Sequence, residues 1–533
     1  MGSKPERVDG ADLTSPFAVC KAISDVVGST LGPKGLYKMV VRSSGTPVVS
    51  KDSETILDEM DIEHPAYDII RSYISDNSSV YTTLELLLLG ELVENALELV
   101  DEGIHPTLIA DAYDMAAREA TASMAAASTN RARDRQSLEE LIATHLESKT
   151  IFDDSSSLAN TVLDALCDDL GNREIDVDDV EIYTVSRKQV TDSVTIPGVC
   201  VKKRRPVNHT RVSLPLRDVN VLLTSDSLQL NESNHDIERN VRNGTGFTDG
   251  EANKKDEFVR MLAATGCDVV FSASRDNADH EIQQRLSERD IAVFHQIDND
   301  VMEKLARVTG ATEVLHLQDV SGTDLGHAER IRKRGIGDET YAFVENDERS
   351  SARTVLLQAG TEQALDTYET AVEECLHVVD GFLEDGKVVP GGGASELHAS
   401  MALRERANGI EDRKQLAVQA YADALESIPE TLAVNAGMDP VDTVVELRNK
   451  HDAGMTGFGV NGADSDVVDM YSNGRVEPLS PKASSIRLAT ETAILLLRID
   501  GILLTDDGEP STDAVSPEGP AQHSIQPESA TQD

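Results

Sequence analysis

Both ends of this chain are patterned as helix and its middle as alternating strand and helix, an order that restricts its folds more than any other feature. Apolar residues recur at helical spacing in Phe17 to Val27, Leu84 to Val100 and Leu108 to Met124. Residues 205–352 instead alternate compact buried-strand runs, Val219 to Leu223 and Asp268 to Phe271, with helices such as Phe258 to Thr265, as an α/β unit does. After Thr361 the helical spacing returns and continues to about Leu504. Between these regions, Gln136 to Arg204 reads as a helix, a polar loop at Asp153 to Ser157, a helix to Leu170 and strands around Val180 to Val201. Lys38 to Ser50 reads as a hairpin with its turn at Ser43 to Thr46. No repeat is visible, so the pattern implies nested insertions. At 533 residues the chain exceeds what one hydrophobic core organises, which predicts about two to four domains.

Charge narrows the partners. With 95 acidic residues against 49 basic ones, a net charge of -46 argues against a nucleic-acid partner. The excess runs the whole length and fits a surface built for a salt-rich, halophilic cytoplasm, where screening suppresses self-repulsion. Met1 to Gly10 lacks the apolar segment of an export signal. The longest apolar stretches, Leu86 to Leu89 and Ile494 to Leu504, are short or broken by Arg498 and Asp500, which predicts no membrane span. Cys20, Cys167, Cys200, Cys267 and Cys375 are scattered and odd in number, as expected of reduced thiols in a cytoplasmic protein.

Two small-residue turns lie far apart, Thr30-Leu31-Gly32-Pro33-Lys34-Gly35 and Gly391-Gly392-Gly393-Ala394. Glycine lets backbone N–H groups approach phosphate, so two such turns suggest one cradle assembled from distant segments; the plainer alternative is two tight turns kept for packing. The first runs on through Ser50-Lys51-Asp52-Ser53-Glu54-Thr55-Ile56-Leu57 to Glu63-His64-Pro65, and the second follows Asp385-Gly386-Lys387-Val388-Val389-Pro390. In order and spacing these segments resemble the nucleotide-binding framework of the group II chaperonins, the thermosome family of archaea. Supporting matches include His105-Pro106-Thr107, Ala424 to Ala433, Asn435 to Pro440 and Arg498-Ile499-Asp500.

The resemblance implies an α+β multidomain chaperonin fold: a mostly helical equatorial domain, a small α/β intermediate domain and an α/β apical domain with a helical protrusion. The implied boundaries are 1–130 and 389–506 for the equatorial domain, 131–204 and 353–388 for the intermediate domain, and 205–352 for the apical domain. The protrusion falls at about Thr224 to Arg260, a mostly polar stretch interrupted by Asn243-Gly244-Thr245-Gly246. The tail, 507–533, is rich in Pro, Ser, Gly, Glu and Gln and reads as disordered.

Site residues follow from the same resemblance. ATP would be cradled by Thr30, Leu31, Gly32, Pro33 and Lys34 and by Gly391, Gly392 and Gly393, with Lys51, Thr55, Thr82 and Thr83 nearby. Lys149 matches a lysine that senses the γ-phosphate. Asp52 matches a carboxylate beside that phosphate, although Ser53-Glu54 stands where the family has Gly-Ala. Glu374 takes the place of a second catalytic aspartate; it keeps the charge but adds a methylene, and a misplacement of about 1 Å costs on the order of a hundredfold in rate. A solvated helix-face carboxylate is the equal alternative for Glu374, and an ordinary surface lysine for Lys149. The largest departure is Ser79-Val80-Tyr81-Thr82-Thr83 in place of Gly-Asp-Gly-Thr-Thr. The family aspartate holds magnesium; valine cannot ligate a hard cation, so the Mg2+ site is weakened or lost here, and Tyr81 adds bulk where glycine allowed close approach. Ser472 stands where the family has an acidic residue near the ribose.

The expected function is therefore an ATP-dependent chaperone subunit of a double ring acting on unfolded protein clients, with impaired hydrolysis. Two alternatives stay open: a regulatory, noncatalytic paralog in a hetero-oligomeric ring, and an independent ATPase. Ring partners would be further copies of the chain or its paralogs.

Overall fold

The computed structural model describes residues 6–7, 14–41, 45, 47–60, 62, 64–75, 80–149, 155–167, 177–186, 190–201, 213–228, 247–275, 279–336, 339–346, 352–499 and 503–504. The hairpin turn at Ser43 to Thr46 is described only at Gly45; the tail and residues 229–246 of the expected protrusion lie outside these residues.

The two helix-patterned ends share one core. Ile23 and Val27 from helix Thr14–Gly28, Leu88 and Leu92 from Thr82–Asp101 and Tyr113 from Pro106–Ala127 pack with Leu403, Tyr421 and Ile486 from helices near the other end. Tyr113 and Tyr421 meet edge to face at 5.5 Å between ring centroids. Short strands interrupt the helices expected after Thr361: Lys387–Pro390 pairs with Val476–Pro478 and Thr129–Asn130, and Phe458–Asn461 forms a hairpin with Asp466–Asp469. These runs are too short to show a period, which is why helical spacing in their neighbours hides them.

A second core gathers helices Arg135–Lys149, Ser155–Cys167 and Glu362–Asp385 against a sheet in which Arg353–Ala359 runs parallel to Val180–Ser186 and antiparallel to Val194–Pro197. Helix Ser155–Cys167 begins inside the run read as a loop.

The middle of the chain builds a seven-stranded sheet. Its strands Leu216–Thr224, Val269–Ser272 and Ala292–His295 are parallel. Side chains alternate across it: Val221, Leu223, Phe271 and Phe294 enter one core, and Leu222, Val270 and Val293 enter another. Burial on both faces explains why these strands read as unbroken apolar runs. Fold class therefore agrees with the expectation, a mixed helix-and-sheet chain with several cores.

Candidate nucleotide cleft

Helix Thr14–Gly28 ends into the first glycine turn. Gly32 has φ +81°, a backbone conformation that demands glycine, and a Cβ there would also push on the Leu432 Cδ2 methyl at 2.6 Å. Asn435 fastens this turn from the other end of the chain: its side-chain amide donates to the Gly28 and Leu31 carbonyls at 3.0 and 2.9 Å. Gly393, at φ +74°, packs on Pro429 of the helix that carries Asn435. One helix, Lys414–Asn435, thus holds the two turns together.

Between the turns lies a cleft, partly open to solvent. Thr30, Leu31, Gly32, Pro33, Lys51, Thr83, Lys149, Gly392 and Gly393 line it. Thr82 and Gly391 do not, and Lys34 reaches Ser465 instead, donating to its hydroxyl at 2.6 Å. Thr83 shares a hydrogen bond of 2.7 Å with Ser53, so the bulkier residue after Asp52 engages a hydroxyl expected to face phosphate. Ser472 donates to Asp469 at 2.8 Å, and neither lines the cleft.

Asp52 caps helix Ser53–Glu59, accepting from the Thr55 backbone N–H and hydroxyl, each at 2.8 Å. Asp52, Thr55 and Glu374 line a neighbouring smaller cavity, and Lys149 borders both spaces. Its ammonium lies 2.7 Å from Glu374 and 3.5 Å from Asp52. On the other Glu374 oxygen sits His145 Nε2 at 2.9 Å. Burial alone would raise the Glu374 carboxyl, but Lys149 and His145 overcome it and hold it at about 2. Burial would likewise lower the Lys149 ammonium, yet Glu374 and Asp52 hold it well above the usual lysine range. His145 and Asn435 are site residues that sequence reasoning missed. Asn435 stood within a quoted family segment, whereas nothing in the sequence marks His145 as a partner of Glu374.

Val80 and Tyr81 close another wall. Val80 lines the cleft with its side chain packed into the second core beside Leu141 and Val378. Tyr81 places its ring 5.1 Å from the Lys482 ammonium. Lys482 is itself buried, paired with Glu396 at 2.7 Å and with Glu477. Among the described residues no group of three or more His, Cys, Asp or Glu side chains could hold a metal ion. Val80 offers no oxygen and Glu477, the one carboxylate among the lining residues, is held by Lys482, a donor set that does not suit magnesium, whereas the glycine turns and cationic side chains suit a nucleotide polyphosphate.

Among the described residues no helix is long and apolar enough to cross a membrane. Cys20, Cys200, Cys267 and Cys375 are free and buried.

Similarity extends over the same span. The chain is 38% identical to thermosome subunit alpha of Halobacterium salinarum, covering 95% of this chain and 92% of that one. It is 36% identical to thermosome subunit 1 of Haloferax volcanii, covering 95% and 91%, and 35% identical to the thermosome subunit of Methanopyrus kandleri, covering 91% and 90%. With residues 23–507 matching that family throughout, the chain belongs to the TCP-1/cpn60 chaperonin family.

Proposed function

We propose that this protein is an ATP-binding subunit of a cytoplasmic double-ring chaperonin that assists the folding of other proteins and hydrolyses ATP slowly by itself. The observation that carries the reading is the convergence of the two glycine turns on one cleft, fastened by Asn435, in a chain of this family. Equatorial, intermediate and apical domains with the boundaries given above supply the parts such a ring needs. In this reading the cleft binds the nucleotide, and Asp52 and Glu374 orient the attacking water behind Lys149. Incoming γ-phosphate draws Lys149 away from its two carboxylates, which frees them to act. Preorganised charge at developing charge is the main catalytic resource of phosphoryl transfer, and loss of one such group costs on the order of 10²–10³ in rate. Val80 removes one and Glu374 is longer than the aspartate it replaces.

A noncatalytic subunit in a mixed ring is the second reading, favoured by the burial of Val80 in an apolar core where a metal ligand is expected. Purification in molar potassium chloride, with particle imaging and ATPase measurement on one sample, tests both. The expected result is a particle many times the monomer mass with slow turnover. A stable monomer, even when mixed with its co-expressed paralogs, overturns the ring, and robust magnesium-dependent hydrolysis insensitive to Asp52→Ala overturns the site.

A further inference from the structure

The chain is strongly acidic, yet its cleft is lined by cations: Lys51, Lys149, Lys482 and Arg475 face a single carboxylate, Glu477. Three of the four already have acidic partners. Lys149 holds Glu374 and Asp52, Lys482 holds Glu396 and Glu477, and Arg475 holds Glu147. Lys51 differs. It is buried, and among the described residues its ammonium donates only to the turn's own carbonyls, Gly32 at 2.6 Å and Pro33 at 3.4 Å, with no carboxylate in contact. A buried ammonium without a counter-ion is costly, and it marks where an anion is wanted.

We propose that this cleft takes the polyphosphate of a nucleotide without a divalent cation, Lys51 supplying the positive charge that the metal ion would bring. The inference rests on the nucleotide reading of the cleft. Three independent features support it. Val80 brings no oxygen ligand to the cleft wall, and Glu477, the one carboxylate among the lining residues, is already engaged by Lys482. Lys51 hydrogen-bonds the very turn that cradles phosphate, so an anion on that turn meets its ammonium. Burial, and then the like charge of Lys149, push the Lys51 ammonium down to about 8, so the fold leaves uncompensated a charge that phosphate would neutralise.

The test is ATP binding to the full chain in molar potassium chloride, measured by calorimetry with excess EDTA and again with excess magnesium. Affinities within about twofold of each other are expected. Lys51→Met should weaken binding by roughly tenfold or more in both buffers, the scale of a hydrogen bond to a charged group. Its melting temperature should not fall, because an uncompensated buried charge has been removed. Binding that requires magnesium overturns the inference and leaves the nucleotide reading standing. ATP bound in neither buffer overturns both. Unchanged affinity in Lys51→Met, with metal-independent binding intact, overturns the role of Lys51; the EDTA arm needs no variant and so does not depend on how that variant folds.

Discussion

Two buried ion clusters flank the cleft, built from the same chemistry and arranged for opposite ends. Lys482, Glu396 and Glu477 all come from the C-terminal part of the chain, and Lys482 and Glu396 side chains are only 3% and 0% exposed. Burial and Glu396 push the Glu477 carboxyl up against the pull of Lys482, so two carboxylates share one ammonium that neither can lose cheaply. Lys149, Asp52 and Glu374 instead come from three distant segments and border two open spaces. Each carboxylate there has a second partner, Thr55 for Asp52 and His145 for Glu374. In the first cluster Glu396 also accepts from the Ser395 hydroxyl at 2.8 Å, but among the described residues both carboxylates share Lys482 as their one cation, so the cluster serves as framework. The second can part without stranding a charge, which is what a ligand-responsive junction requires.

Lys482→Met should break the framework cluster outright, stranding Glu396 and Glu477 and costing on the order of 3–5 kcal/mol in a denaturant melt. Lys149→Met should cost less, about 1–3 kcal/mol, because the retained partners take up the slack. Equal losses would erase the distinction. A third variant, Val80→Asp with Tyr81→Gly, removes the ring beside Lys482 and places a carboxylate in the cleft wall. It should raise magnesium-dependent turnover by about 10²-fold or more while changing ATP affinity little; turnover that stays flat would show that the slow step lies elsewhere.

Glu374 is read through pH. Its folded value, about 2, lies below the ordinary 4.5, so the native state binds fewer protons in that window. The stabilisation is therefore fully present above about 4.5 and is lost as pH falls towards 2, amounting to on the order of 3 kcal/mol. Glu374→Gln should flatten this part of the acid unfolding curve, and an unchanged acid limb would place Glu374 outside the Lys149 cluster.

The turns that meet at the cleft were legible because glycine turns are marked by composition: Gly32, Gly392 and Gly393 can be picked out one by one. Lys51 was legible as a residue near the cradle, but not as an ammonium with no acidic partner. In a chain with 95 acids the sequence gives every lysine a surplus of possible partners, and only distance selects among them. Short strands such as Lys387–Pro390 escaped because a period needs more turns than they contain.

By itself the sequence determined the order of helical and α/β regions, the two turns and an apolar residue at position 80, since periodicity, glycine and side-chain chemistry are local properties. Tertiary structure alone decided that Asn435 fastens the first turn, that Ser53 engages Thr83, that His145 meets Glu374 and that Lys51 has no carboxylate in contact. Each of these is set by which segments the packed cores bring within hydrogen-bond distance, and no spacing along the chain encodes that.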